Sequence, residues 1–309
     1  MKTKIQTAIK TFLALTCRNM KLFFKDKGLF FVSMITPGIL LILYSTFLAS
    51  TYRDSIINNM PEGMSLPSKI VDGLVSGQVV SSMLAVICVT VSFCSNMVMV
   101  QDKLSGANKD FAITPVKKPM LAISYFVGTL VVTVLICLVA MLFCFIYMGA
   151  TAWYMTAGDV FLLILDVFLL TLFGTTLSSV INCFINTQGQ ASAVGTIVSA
   201  GYGFFCGAYM PIASLGDGMQ KFVSLLPGTY GTSLVREHAM SAAINALKDI
   251  NAPDEVLKGI RDSVDCNLYF FGTHVSEAAK YLILVLITAA LIGVYVLINF
   301  LMSKKKRKK

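Results

Sequence analysis

Charge is scarce in this chain. Of its 309 residues, 13% are Asp, Glu, Lys or Arg, about half the share of a soluble globular domain. That scarcity excludes the two soluble domains that the length alone would suggest. Histidine occurs twice and tryptophan once. There is no G-x-x-x-x-G-K-[ST] phosphate loop and no H-E-x-x-H or G-x-S-x-G motif, so neither nucleotide hydrolysis nor these hydrolytic chemistries are expected of this chain. The eight cysteines (Cys17, Cys88, Cys94, Cys137, Cys144, Cys183, Cys206 and Cys266) contain no CxxC pair, which leaves neither a zinc site nor a disulfide framework. Six of them fall in apolar runs and read as small apolar filler. No metal is expected. His238 and His274 stand alone and are expected as surface residues. Polar catalytic groups do not gather anywhere, so the chain is not expected to be an enzyme.

What is present is apolar sequence, 56% of the chain, in runs near the roughly 20 residues a helix needs to cross a bilayer. The expected fold is an all-α membrane protein with six spans, at 28–50, 76–100, 119–149, 159–185, 191–210 and 277–302. Before them, residues 1–27 form a basic amphipathic helix. Ile5, Ile9, Phe12, Met20 and Phe23 share one face, and Lys10, Arg18, Lys21 and Lys25 lie opposite, a pattern suited to the membrane interface. A signal peptide would have a shorter charged start and a shorter apolar run. Pro37-Gly38 is expected to kink the first span. Residues 51–75 read as an outer loop, 241–276 as a polar, acidic outer insert, and 303–309 as a basic tail that stops transfer or meets anionic lipid.

The positive charge is unevenly placed. Seventeen of the 25 basic residues lie in the segment up to Lys27, the loop 101–118 and the tail. By the positive-inside rule these face the cytoplasm, which makes a multi-pass plasma-membrane protein with both termini cytoplasmic. The net charge of +9 is thereby explained by membrane topology, without nucleic acid as a partner.

Three stretches and one residue carry candidate function. In 207–237, Pro211 interrupts a helix, Gly216 and Gly218 permit a reversal, and Pro227-Gly228 breaks a short amphipathic run. Two short helices in place of a span predict re-entrant helices at the outer face between spans five and six, since broken backbone at membrane depth needs protein or water beside it. In the loop 101–118, Leu104, Ala107 and Phe111 form a narrow apolar stripe on a short helix, ended by Thr114-Pro115 and followed by Lys117 and Lys118. The fifth span carries Ala191, Gly195, Ser199, Gly203 and Gly207 at every fourth position, a small-residue stripe that lets two helices approach closely, within the chain or against a second copy. Asp166 lies in the fourth span, where a carboxylate must face protein or water or be protonated. Hydrogen bonding to neighbouring spans, a cation or proton site and substrate contact are its alternatives. Asn96 and Asn182 are milder cases.

Two of these stretches resemble type-2 ATP-binding-cassette (ABC) permeases, the membrane subunits of many bacterial exporters. The re-entrant signature is matched by Gly207, Pro211, Leu226, Pro227, Tyr230 and Arg236, though Ser214-Leu215-Gly216 stands where members often have a second proline. The ATPase-coupling loop is matched by Gly106, Lys109, Phe111, Thr114 and Pro115, with Leu104 and Lys117 beside them; Gln101-Asp102 stands where members usually have Glu. The resemblance implies a coupling helix docked on an ABC ATPase subunit, present in two copies that bind ATP and Mg, while this chain binds no cofactor. It implies a second permease copy or paralogue, packed in part through Gly195, Ser199 and Gly203. It also implies a terminal helix that touches the ATPase or only anchors in lipid. The expected function is outward movement of a hydrophobic or amphipathic substrate such as a drug, antibiotic or lipid-like compound. A secondary transporter or channel without an ATPase, and a sensory membrane protein, are the alternatives.

Overall fold

The computed structural model describes residues 2–58, 66–114, 116–250 and 252–305. Helix α1 (Lys2–Lys25) runs along the bundle. It packs through Leu15, Thr16, Asn19 and Phe23 while Ile5, Ile9 and Leu13 stay exposed, so the apolar face divides between protein and the outside. Asp26 then accepts the Leu29 backbone N–H at 3.1 Å and starts α2 (Lys27–Leu43). Pro37 lies inside α2. A π-helical turn at Tyr44–Leu48 leads into α3 (Ala49–Asn58). The helix thus continues through residues expected in an outer loop. Tyr52 and Ile56, one turn apart, are buried there, and burial of that face outweighs the polar composition.

Helix α4 (Ser68–Ser95) is the hub, buried along nearly its whole length and touching α2, α3, α7, α8, α9 and α11. Its glycines allow this. A Cβ on Gly77 would lie 2.8 Å from the Ala239 carbonyl, and one on Gly174 of α8 would lie 3.0 Å from the Cys88 carbonyl. After a break at Asn96 come α5 (Met97–Leu104), the single turn α6 (Ala107–Asp110) and a 3₁₀ turn at Phe111–Ile113. Helices α7 (Lys118–Thr151) and α8 (Ala157–Asn182) follow as an antiparallel pair. A capping box between Thr156 and Asp159 starts α8, satisfying backbone donors that the helix end leaves free. Helix α9 (Gln188–Phe205) is capped by Thr187.

A 3₁₀ turn at Ile212–Ser214, α10 (Asp217–Ser224) and α11 (Pro227–Asp249) come next. Helix α11 has 23 residues, extending well past the stretch 207–237 in which two short helices are expected, because Ala243, Ile244 and Leu247 continue its buried face. Helix α12 (Asp254–Ser263), a hairpin of β1 (Leu268–Phe270) and β2 (Thr273–Val275), and α13 (Glu277–Lys305) complete the chain. In that insert Cys266 is fully buried.

Five helical stretches among the described residues are long and apolar enough to span a membrane: Lys27–Asp54, Ser68–Leu104, Lys118–Thr151, Ala157–Asn182 and Glu277–Met302. Helix α9, which overlaps the expected fifth span 191–210, has 18 residues. It opens on Gln-Gly-Gln and is rich in Gly and Ser, so it is not among them.

Candidate functional site

The stretch 207–237 folds around Arg236. Just after α9, Gly207 adopts φ +72°, a left-handed conformation that favours glycine. A Cβ there would come within 2.8 Å of the Ile212 side chain and 3.1 Å of the Asp265 carboxylate. Arg236 Nη2 donates to the Gly207 carbonyl at 2.7 Å and to Ser82 Oγ at 3.3 Å. Its Nη1 donates to Asp265 Oδ2 at 2.9 Å. The same carboxylate accepts the backbone N–H of Ile212, next to Pro211, at 2.8 and 3.0 Å. Leu226 caps α11, and Pro227 sits in its first turn, where a missing N–H costs little. The Tyr230 hydroxyl donates to the Ser224 carbonyl at 2.6 Å. Gly207, the residue after Pro211, and Arg236 therefore meet at one buried ion pair, while Leu226, Pro227 and Tyr230 form the start of the helix that carries Arg236. Beside the pair is a cavity of about 140 Å³ lined in part by Gln220, Tyr230, Asp262 and Asp265. Asp265, which completes the pair, carries no sequence signal beyond being an acidic residue beside a buried cysteine.

A second pair lies one residue on. Glu237 accepts from Lys280 Nζ at 2.8 Å and pairs with Arg261, and Lys280 also donates to the Cys266 carbonyl at 2.6 Å. Burial opposes ionisation of Glu237, but Lys280 and Arg261 outweigh it and hold the carboxyl below its ordinary range.

Asp166 is buried in α8, and its partners are explicit. The Tyr281 hydroxyl donates to Oδ1 at 2.5 Å, and His238 Nδ1 lies 2.5 Å from Oδ2. His238 is thus not the surface residue expected from sequence: it is 4% exposed, because α11 is folded between α8 and α13. His274 lies exposed on β2.

At the opposite end, Arg18 of α1 pairs with buried Asp102, with Nη2 3.0 Å from Oδ1. The Tyr125 hydroxyl of α7 donates to the same carboxylate, and the Arg18 guanidinium lies 5.1 Å above the Phe111 ring. Phe111 is therefore half-buried against α1. Ile113 is fully displayed on the loop, 88% exposed, and Leu104 is 38% exposed. Gly106 turns the chain at φ +84°. The Thr114 hydroxyl donates to the Phe111 carbonyl at 2.8 Å, and Lys117 is the residue preceding α7. The Lys109 side chain, Pro115 and the tail beyond Lys305 lie outside the described residues. Lys103 Nζ donates to the carbonyls of Asn182, Cys183 and Ile185 at 3.1, 2.9 and 2.8 Å, joining this loop to the end of α8.

The small stripe on α9 is not uniform. A Cβ on Gly195 would meet nothing within 4 Å, whereas one on Gly203 would fall 2.3 Å from the Tyr209 ring of the same chain. Gly195 and Ser199 line a cavity of about 50 Å³ with Thr90 and Asn182. Asn96 Nδ2 donates to Ser178 and Ser179 at 3.0 and 2.9 Å. Among the described residues, no group of His, Cys, Asp and Glu is placed to hold a metal ion.

Long apolar helices around a buried hub, with polar side chains paired inside, define an integral membrane protein. The profile of the ABC-2 type transporter family matches residues 10–239, and the chain belongs to that family: it is a permease subunit of an ABC transporter. The match includes α1 from residue 10 on, the Arg18–Asp102 pair and Arg236, and ends before Asp265 and Lys280. No curated protein matches the chain.

Proposed function

We propose that this permease subunit works in an ATP-driven exporter, moving a hydrophobic or amphipathic substrate outward across the plasma membrane. Two ATPase subunits bind ATP and Mg on the cytoplasmic side, and a second permease copy or paralogue completes the pore. In this reading both termini are cytoplasmic, α9 is a sixth span, and 207–226 is re-entrant from the outer face.

The observation that carries the reading is the clasp joining α1 to the loop 101–118. Arg18, Asp102, Tyr125 and Phe111 bind the loop to two helices, while Ile113 stands free beside it. A loop held to two helices while Ile113 is displayed suits docking into a groove on a soluble partner. Burying such a side chain contributes about 1.5–3 kcal/mol. The test is to isolate the tagged chain from its native membranes and measure ATP turnover in the eluate. Wild-type chain should bring an ATPase with it, and Ile113→Asp should lose it without loss of insertion. An eluate without ATP turnover, or one unaffected by Ile113→Asp, refutes the reading.

A further inference from the structure

His238 sits between two carboxylates on two different helices. Its Nδ1 is 2.5 Å from Asp166 Oδ2 on α8, and its Nε2 is 3.3 Å from Glu277 Oε1 on α13. A neutral imidazole has one N–H and one lone pair; only the imidazolium donates from both nitrogens. With a carboxylate hydrogen-bonded at Nδ1 and another within ion-pair distance of Nε2, the arrangement therefore favours the charged ring. We propose that Asp166, His238 and Glu277 form a proton-binding site, which fastens α8, α11 and α13 together when occupied and frees the start of α13 when the proton leaves.

Proton loss acts differently on the two contacts. The Asp166 side chain is wholly buried and also holds the Tyr281 hydroxyl, so it cannot exchange His238 for water. Glu277 is about half exposed and can. The remaining ring proton therefore stays on Nδ1 facing Asp166. The proton on Nε2 passes to the Glu277 carboxylate and on to water, and the Nε2 lone pair then repels that carboxylate. Glu277 is the first residue of α13, so its release loosens that helix end while Asp166 and His238 stay together.

The surroundings favour the occupied state. From α8, Asp159 lies near as well as Asp166, accepting the Ser241 hydroxyl at 2.5 Å. From α13 come Glu277, Lys280 and Tyr281, and on α11 itself are Glu237 and Arg236. Lys280 and Arg261 are engaged by Glu237, and Arg236 by Asp265. Helix α4 meets α11 through Gly73 and Gly77, beside Ala243 and Met240. Burial opposes the charge on His238, but Asp166 and the flanking Glu277 and Glu237 outweigh it and raise the imidazole above its ordinary range. A raised folded-state value means that the fastening is complete at low pH and is lost as pH rises through that value. The site does not depend on the transport reading, since it uses side chains paired in the isolated chain.

The experiment uses the full chain in lipid nanodiscs with ¹⁵N-labelled histidine. The chain has two histidines, so His274→Gln leaves one imidazole. Its nitrogen shifts should report an imidazolium at neutral pH and an Nδ1–H tautomer on the alkaline side. Glu277→Gln should lower the midpoint, and Asp166→Asn should lower it further and abolish the tautomer preference. A nitroxide at the exposed Ala278 should gain mobility through the same midpoint in the parent chain and be mobile at every pH in Glu277→Gln. If Asp166→Asn does not fold, Glu277→Gln carries the test, because its side chain is half in solvent. A neutral imidazole from pH 5 upward, a midpoint unmoved by Glu277→Gln, or a nitroxide indifferent to pH would each overturn the proposal.

Discussion

Replacing Arg236 with Met removes a guanidinium from a site where nothing can take its place. Arg236 is fully buried, and its hydrogen bonds reach Ser82 of α4, Gly207 just after α9 and Asp265 of the insert. Met keeps much of the volume and fits irregular space, so the loss is electrostatic. The Asp265 carboxylate would stay buried beside the Ile212 N–H, 2.8 Å away, but without its guanidinium, and the Gly207 carbonyl would lose its donor. Removing one member of a buried ion pair costs about 3–5 kcal/mol. For a chain of this size that corresponds to a fall in melting temperature on the order of 10 °C. Arg236→Met/Asp265→Asn removes both charges, and Asn tolerates the φ of +54° at position 265. The double variant should therefore melt above Arg236→Met, since residues of one buried network do not act additively. The assay is thermal melting of a fluorescent fusion in detergent, read by size-exclusion chromatography. Arg236→Met melting within about 2 °C of wild type, well under the expected shift, or a double variant less stable than the single one, would refute the view that this pair ties the turn-back together.

Phe111→Ala should leave insertion intact and reduce ATPase co-purification, because the Arg18 stacking that orients the loop is lost; such a contact is worth about 0.5–1 kcal/mol when exposed, so Ile113→Asp should do more. Gly203→Leu should lower melting temperature by displacing Tyr209, whereas Gly195→Leu, where an added Cβ would meet nothing within 4 Å, should lower it less while weakening association with a second copy, read by crosslinking. Leu135→Phe, on an exposed position of α7, should do neither. Cys266 is buried, so an impermeant thiol reagent should ignore it in intact cells yet label Thr273→Cys on the exposed hairpin; labelling of Thr273→Cys only after permeabilisation reverses the topology. Glu237, held ionised by Lys280 and Arg261, contributes stability that is complete above the ordinary carboxylate range and lost as pH falls through its depressed value. Acid melting should accordingly be blunted in Glu237→Gln.

The helices are legible in the sequence because apolar runs of span length leave few alternatives, and the Gly207, Pro211 and Pro227 breaks are legible because backbone chemistry is local. Partners remote in sequence are not. Asp265 meets Arg236 across 29 residues and Lys280 meets Glu237 across 43. Composition cannot assign such pairs, and Lys280 reads as an ordinary span-edge lysine. His238 is hidden for the same reason: a histidine amid Glu and Arg looks solvated until its helix is known to be enclosed. Phe111 stands out as the large apolar side chain of its loop, but that it faces Arg18 depends on α1 lying alongside, which the loop sequence does not encode.

Lys103 has a mechanical consequence. Its ammonium is a compact charge on a flexible stem with three rotatable donors, and it rests on three carbonyls at the end of α8, where the helix dipole also favours a cation. Such a contact resists being pulled apart but prescribes no angle. It behaves as a ball in a socket: a push on the loop 101–118 reaches α8 and the turn into α9 without delay, while the two sides remain free to swivel. An arginine there, planar and directional, would turn the joint into a hinge with a fixed axis.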